Sequence, residues 1–222
     1  STLEAYFVGK KELFKGLAME SLETEWRSYP VLRLDLNAEN YETEEDLKII
    51  LNDFLSQWET VYGSNPAECS VARRFSGIIQ RAYENTGRQV VVLIDEYDKP
   101  LLSTIDKKEL HDAYRNALKA FFGVLKSQDQ YIRFAFLTGV SRFSHVSIFS
   151  DLNNLQDISM VPDYADICGI SEKELHAYFE ESIHKLASAN HMAYEQTCEK
   201  LRVRYDGYHF YPGSAGVYNP FS

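Results

Sequence analysis

The run Val90-Val91-Val92-Leu93-Ile94-Asp95-Glu96-Tyr97-Asp98 sets two adjacent carboxylates directly after five apolar residues, four of them β-branched. Mg²⁺ is a hard cation that keeps several waters, so one or two carboxylates beside phosphate oxygens suffice to hold it. A second carboxylate can orient or deprotonate an attacking water. Adjacent side chains on a strand face opposite ways, so Asp95 and Glu96 could divide the metal and the nucleophile between them. The same residues also fit a core strand running into an acidic turn, Asp98-Lys99-Pro100. The segment by itself leaves both open. Thr138 closes a second apolar run, Ile132-Arg133-Phe134-Ala135-Phe136-Leu137. A hydroxyl there could reach a terminal phosphate or the attacking water, or it could bond to backbone at a strand end. Arg142 follows in Thr138-Gly139-Val140-Ser141-Arg142-Phe143. Its guanidinium could stabilise phosphate charge, or it could be a surface arginine.

These residues need elements to position them. An apolar run without alternation fits a strand buried on both faces, as in a parallel sheet. The carboxyl ends of such strands are where ligands of open α/β sheets bind. After Pro30, Val31-Leu32-Arg33-Leu34-Asp35-Leu36-Asn37 alternates and predicts another strand. Thr43, with Asp46 three positions on, begins an amphipathic helix carried by Leu47, Ile50, Leu51, Phe54, Leu55, Trp58 and Val61, which Gly63 and Pro66 end. Val71, Phe75, Ile78, Ile79 and Tyr83 predict a second helix stopped near Gly87. A long helix is expected from about Lys107 to Gln128, with Leu110, Tyr114, Leu118, Phe121, Phe122 and Leu125 on its apolar face. Residues 1 to 27 begin as a helix that Gly9 and Gly16 punctuate, and Ile158-Ser159-Met160-Val161 reads as a short strand. Alternating strands and helices predict an α/β fold with parallel pairing.

The pattern changes near Pro162. Ser171 and Glu174 form a capping box for a helix with Leu175, Tyr178, Phe179, Ile183 and Leu186 on its apolar face. Another helix covers about Tyr194 to Arg204, and Tyr205 to Gly213 is rich in aromatics and glycine. The expected organisation is an α/β core over 1–165 and a helical subdomain over 166–222.

The chain has 222 residues and a formal net charge of −10, which argues against unspecific nucleic-acid binding. Cys69, Cys168 and Cys198 form no Cys-x-x-Cys pair and read as reduced, mostly packed thiols of a cytoplasmic protein. His184 and His191 do not share a helix face at metal-binding spacing. No apolar stretch is long enough to span a bilayer and no signal peptide is visible, so no membrane partner is expected. The chain lacks an initiating Met and stops at Asn219-Pro220-Phe221-Ser222, as if cut from something longer. No Gly-x-x-x-x-Gly-Lys-Ser/Thr phosphate cradle is present; Gly9-Lys10-Lys11 lacks the first glycine, the hydroxyl residue and a preceding strand. A nuclease centre of the Asp/Glu-x-Lys type also fails, since Glu96-Tyr97-Asp98-Lys99 has one residue too many.

Val92-Leu93-Ile94-Asp95-Glu96-Tyr97-Asp98-Lys99-Pro100-Leu101 resembles the Walker B signature of the bacterial AAA-ATPase-like family. Phe136-Leu137-Thr138-Gly139-Val140-Ser141-Arg142-Phe143 is similar to that family's sensor segment. Further likeness lies in Ser147-Ile148-Phe149-Ser150-Asp151-Leu152-Asn153-Asn154-Leu155, Tyr205-Asp206-Gly207-Tyr208 and Val217-Tyr218-Asn219-Pro220-Phe221-Ser222. In that family an Arg-Arg-Phe-Gly-Lys-Ser loop precedes the counterpart of Ser1-Thr2-Leu3-Glu4-Ala5-Tyr6-Phe7, and a PD-(D/E)XK nuclease-like domain commonly follows. The resemblance implies a three-layer P-loop NTPase-like parallel sheet, here without its first strand, and a C-terminal helical lid. It implies ATP and Mg²⁺ as ligands, with Asp95 holding metal and nucleotide and Glu96 activating water. Thr138 would sense the terminal phosphate, and Arg142 would assist. The alternative is a nucleotide-independent scaffold with a degenerate NTPase fold that binds protein or nucleic acid.

Overall fold

The computed structural model describes residues 1–37, 40–140, 148–149, 152–209 and 213–218. They fall into two compact units, Ser1–Asn154 and Leu155–Ser222.

The first unit is built on three parallel strands in the order β1 (Val31–Asp35), β2 (Val90–Asp95), β3 (Ile132–Leu137). The unalternated apolar run is the central strand, and its five apolar residues are all buried. Register places Arg33, Leu93 and Phe136 on one face, and Leu34, Ile94 and Leu137 on the other. Asp35 is registered with Asp95, so β1 and β2 both end on a carboxylate at the same sheet edge.

Helices flank this sheet. Helix α1 (Thr2–Phe7) lies on the face of Phe134, its Phe7 ring stacked there at 5.3 Å. A 3-10 turn (Lys11–Phe14) and α2 (Ala18–Leu22) follow, so the opening segment is three short pieces, separated at Gly9 and Gly16. Helix α3 (Glu44–Tyr62) starts where the Asp46 carboxylate accepts the Thr43 and Glu42 N–H groups, both at 2.8 Å. Helix α4 (Val71–Thr86) is capped by the Ser70 hydroxyl and ends at Gly87 in the left-handed region. Arg74 of α4 clamps α3, with both Glu59 oxygens at 2.8 and 2.7 Å. Helix α5 (Lys99–Leu102) is a single turn that follows β2.

The long helix expected over 107–128 is broken. Helix α6 (Lys108–Phe122) stops at Gly123, whose N–H is shared between the Lys119 and Phe121 carbonyls, and α7 (Val124–Ser127) resumes after it. Phe75 of α4 stacks on Phe121 of α6 at 4.4 Å, and the core gathers around this pair. Strand β3 is the least covered of the three: its residues are half-buried, Arg133 is exposed, and its outer edge has no partner strand among the described residues.

In the second unit, α8 (Glu172–Ala189) begins with the expected box, Ser171 N–H to Glu174 at 2.9 Å and Glu174 N–H to the Ser171 hydroxyl at 3.3 Å. Helix α9 (Tyr194–Tyr205) follows, then an antiparallel pair, β4 (Asp206–Tyr208) and β5 (Val217–Tyr218). The strand expected over Ile158–Val161 does not form. The Val161 N–H turns back to the Ile158 carbonyl at 3.2 Å, and Pro162 opens a short 3-10 turn. The packed thiols expected from the sequence are also corrected, since Cys69 and Cys168 are exposed and Cys198 is half-buried. Their surroundings are loop and helix surface rather than core. No helix among the described residues is long and apolar enough to cross a membrane.

Candidate functional site

The carboxyl ends of β2 and β3 meet through side chains as well as backbone. The Thr138 N–H donates to the Ile94 carbonyl at 2.9 Å, which continues the ladder by one residue. Its hydroxyl lies 2.5 Å from Asp95 Oδ1 and 3.5 Å from the Ile94 carbonyl. A hydroxyl has a single hydrogen to donate. The shorter, charge-assisted contact takes it, so Thr138 serves the acid rather than the strand end.

Strand β2 stops at Asp95, and Glu96 adopts φ +53°. Side-chain-bearing residues rarely enter this region, and such strain persists where the surroundings enforce it. The two acids were expected to diverge by strand alternation. Glu96 instead lies outside the strand, in the left-handed turn that follows it. Glu96 is half-buried, and its carboxyl is held above the ordinary range. Burial is the main cause; the negative charges of Asp98 and Asp95 add to it, Lys99 opposes it, and Asp35 contributes last. A carboxylate so raised is a stronger base than a free one.

Asp98 is completely buried, and the Val140 N–H donates to its Oδ1 at 3.1 Å. The Leu101 and Leu102 N–H groups donate to its main-chain carbonyl, starting α5. Tyr97, 6% exposed, packs its ring 5.0 Å from Phe149 and donates its N–H to the Thr138 carbonyl at 3.0 Å.

Of the residues singled out in the sequence, Asp95, Glu96 and Thr138 come together. Arg142 lies outside the described residues. Sequence reasoning missed Asp35 and underrated Asp98. Asp35 stood at the end of an alternating strand, as Asp95 stands at the end of β2, and parallel register then makes them neighbours. Asp98 read as a turn residue because nothing local signals that Gly139 lies against it.

The donor set is chemically suited to Mg²⁺. Asp95, Asp35 and the Thr138 hydroxyl offer hard oxygen atoms at one sheet edge. Among the described residues no three His, Cys, Asp or Glu side chains converge to hold a metal by themselves. An ion here would therefore complete its shell with water and phosphate, as Mg²⁺ commonly does.

The model of a family described as predicted AAA-ATPase matches residues 1–149. A relative from Azotobacter chroococcum mcd 1, the uncharacterized protein in the vnfD 5′ region, is 36% identical over 220 residues. That alignment takes in 99% of this chain and 40% of the relative, so the chain spans well under half of that protein's length. No solved structure matches. With β2 leading into Asp95 and Glu96, β3 into a Thr138 that touches Asp95, and that family's model covering two thirds of its length, the chain belongs to the AAA-ATPase-like family.

Proposed function

We propose that this chain supplies the acid-bearing part of an ATP-hydrolysing site, working within a longer protein. The observation that carries the reading is the contact between Thr138 Oγ1 and Asp95 Oδ1 beside the left-handed Glu96 turn. Asp95, with Asp35 adjacent, would hold Mg²⁺, which supplies charge neutralisation to the phosphates. Glu96, made more basic by burial and by its acidic neighbours, takes a proton from the attacking water. Thr138 fixes the Asp95 carboxylate and presents its oxygen toward the terminal phosphate. Arg142 enters this proposal on its place in the sequence, four residues beyond Thr138.

The wider reading rests on the family resemblance. The sheet is the P-loop NTPase type, with the phosphate-binding loop and its strand ahead of α1. The helical unit acts as a lid, and a nuclease-like domain belongs to the same longer protein. Phosphoryl transfer relies on positioning and charge stabilisation more than on covalent chemistry, so acids placed by a rigid central strand are suited to it.

The test is Mg²⁺-dependent ATP hydrolysis by the full-length protein. Glu96→Gln should lower turnover about 10²- to 10⁴-fold, the usual contribution of a general base. Asp95→Asn should raise the Mg²⁺ requirement as well. Wild-type turnover in both variants would exclude the assignment.

A further inference from the structure

The segment after β3 is laced to the segment after β2 at successive residues. Thr138 donates to Ile94 and Asp95, its carbonyl accepts the Tyr97 N–H, and Val140 donates to Asp98. Glu96 sits in the middle of this lacing in a conformation that needs its neighbours to enforce it.

Two residues close the far end. The Asp98 carboxylate is wholly buried, where an unbonded charge would be strongly disfavoured. The Val140 N–H is one donor that meets it, and this bond ties the backbone after β3 to the buried acid. Gly139 lies against it. A Cβ on Gly139 would stand 2.6 Å from Asp98 Oδ1 and 2.6 Å from the Tyr97 ring. A Cβ there would force the Asp98 or Tyr97 side chain to shift, and both are buried, so the glycine suits this close approach.

We propose that Asp98 and Gly139 form a latch, a buried carboxylate closed over a residue without a side chain, that sets Thr138 and the Glu96 turn in place for phosphate chemistry. This deepens the hydrolysis reading and, for its catalytic consequence, rests on it. Asp98 is a positioning residue: it acts on the site through the Thr138–Val140 backbone. The Asp98 side chain supplies the acceptor oxygen, and the bond to it braces a strained turn.

The test uses the full-length protein in wild-type form and as D98A, D98N and G139A. Amide exchange at Val140, measured without nucleotide, should speed up about ten- to hundredfold in D98A and G139A. D98N keeps an acceptor oxygen and should recover most of the protection. In Mg²⁺-ATP assays, kcat should fall about 100-fold in D98A and G139A, the scale of a small misplacement at a reacting centre. KM for ATP should stay near wild type, and D98N should rescue kcat. Unchanged Val140 exchange in D98A and G139A overturns the latch. So does wild-type kcat in a variant whose Val140 amide has been freed. G139A leaves the carboxylate intact, so it tests the latch where D98A does not fold. Exchange is read without ATP, so failure of the latch is separable from failure of the hydrolysis reading, which E96Q decides.

Discussion

Glu96 should be a residue that the fold would be better off without. Its φ of +53° puts a side-chain-bearing residue in the left-handed region, which costs about 1–2 kcal/mol for an L-residue with a Cβ. Glycine pays no such cost but loses about 0.5–1 kcal/mol more chain entropy on folding. Replacing Glu96 by Gly should therefore stabilise the protein by a net ~0.5–1 kcal/mol from backbone relief alone. At this chain length each 1 kcal/mol moves Tm by about 2–4 °C, so the expected rise is roughly 1–4 °C. The variant also removes a carboxylate that Asp98 and Asp95 repel. E96Q removes that charge and keeps the Cβ, so the backbone share is the difference between E96G and E96Q. Thermal scans of wild type, E96Q and E96G at neutral pH give both quantities, and ATPase assays on the same substitutions in the full-length protein complete the comparison. The expected pattern is a gain in Tm from E96Q to E96G, with turnover lost in both. Such opposition between stability and activity is the usual mark of a residue kept for function. If E96G melts no higher than E96Q, the strain argument is wrong. If E96G melts higher and still turns over ATP, the catalytic role is wrong.

Thr138→Val removes the hydroxyl bond to Asp95 and keeps the shape. A bond to a charged group is worth about 1.5–3 kcal/mol, so turnover should drop about ten- to hundredfold, with Thr138→Ser near wild type; equal rates for T138V and wild type would count against the contact. Arg74 holds the Glu59 carboxyl below the ordinary 4.5 by hydrogen bonds to it. The folded state thus binds this proton less readily than the unfolded one. The stabilisation is complete above the ordinary value and is lost as pH falls through the depressed one. Glu59→Gln should therefore be less stable than wild type at pH 7 and should converge with it in acid; denaturant melts across pH measure the gap, and a gap that persists at low pH would show that packing, not charge, is responsible.

What the sequence determined is the local grammar. A run of five apolar residues without alternation could bury itself only between two neighbours, and β2 is the central strand. Thr43 with Asp46 and Ser171 with Glu174 marked helix starts correctly, since a cap is satisfied within four residues. The placing of Asp95 beside Thr138 was legible for the same reason: each follows an apolar run, and parallel pairing brings the strand ends together. Where local signals were ambiguous, the tertiary structure decided. Ile158–Val161 has strand-like residues but pairs with no strand among the described residues, and its Val161 N–H bonds back to the Ile158 carbonyl. Asp98 reads locally as an acid in a turn. It is wholly buried, and Gly139, 41 residues later in the chain, lies against it. The left-handed turn at Glu96 has no signature either, because a strained φ is imposed by bonds on both sides rather than preferred by the residue. Side-chain type and spacing specify the elements, and the closing of one loop over another specifies where the chemistry points.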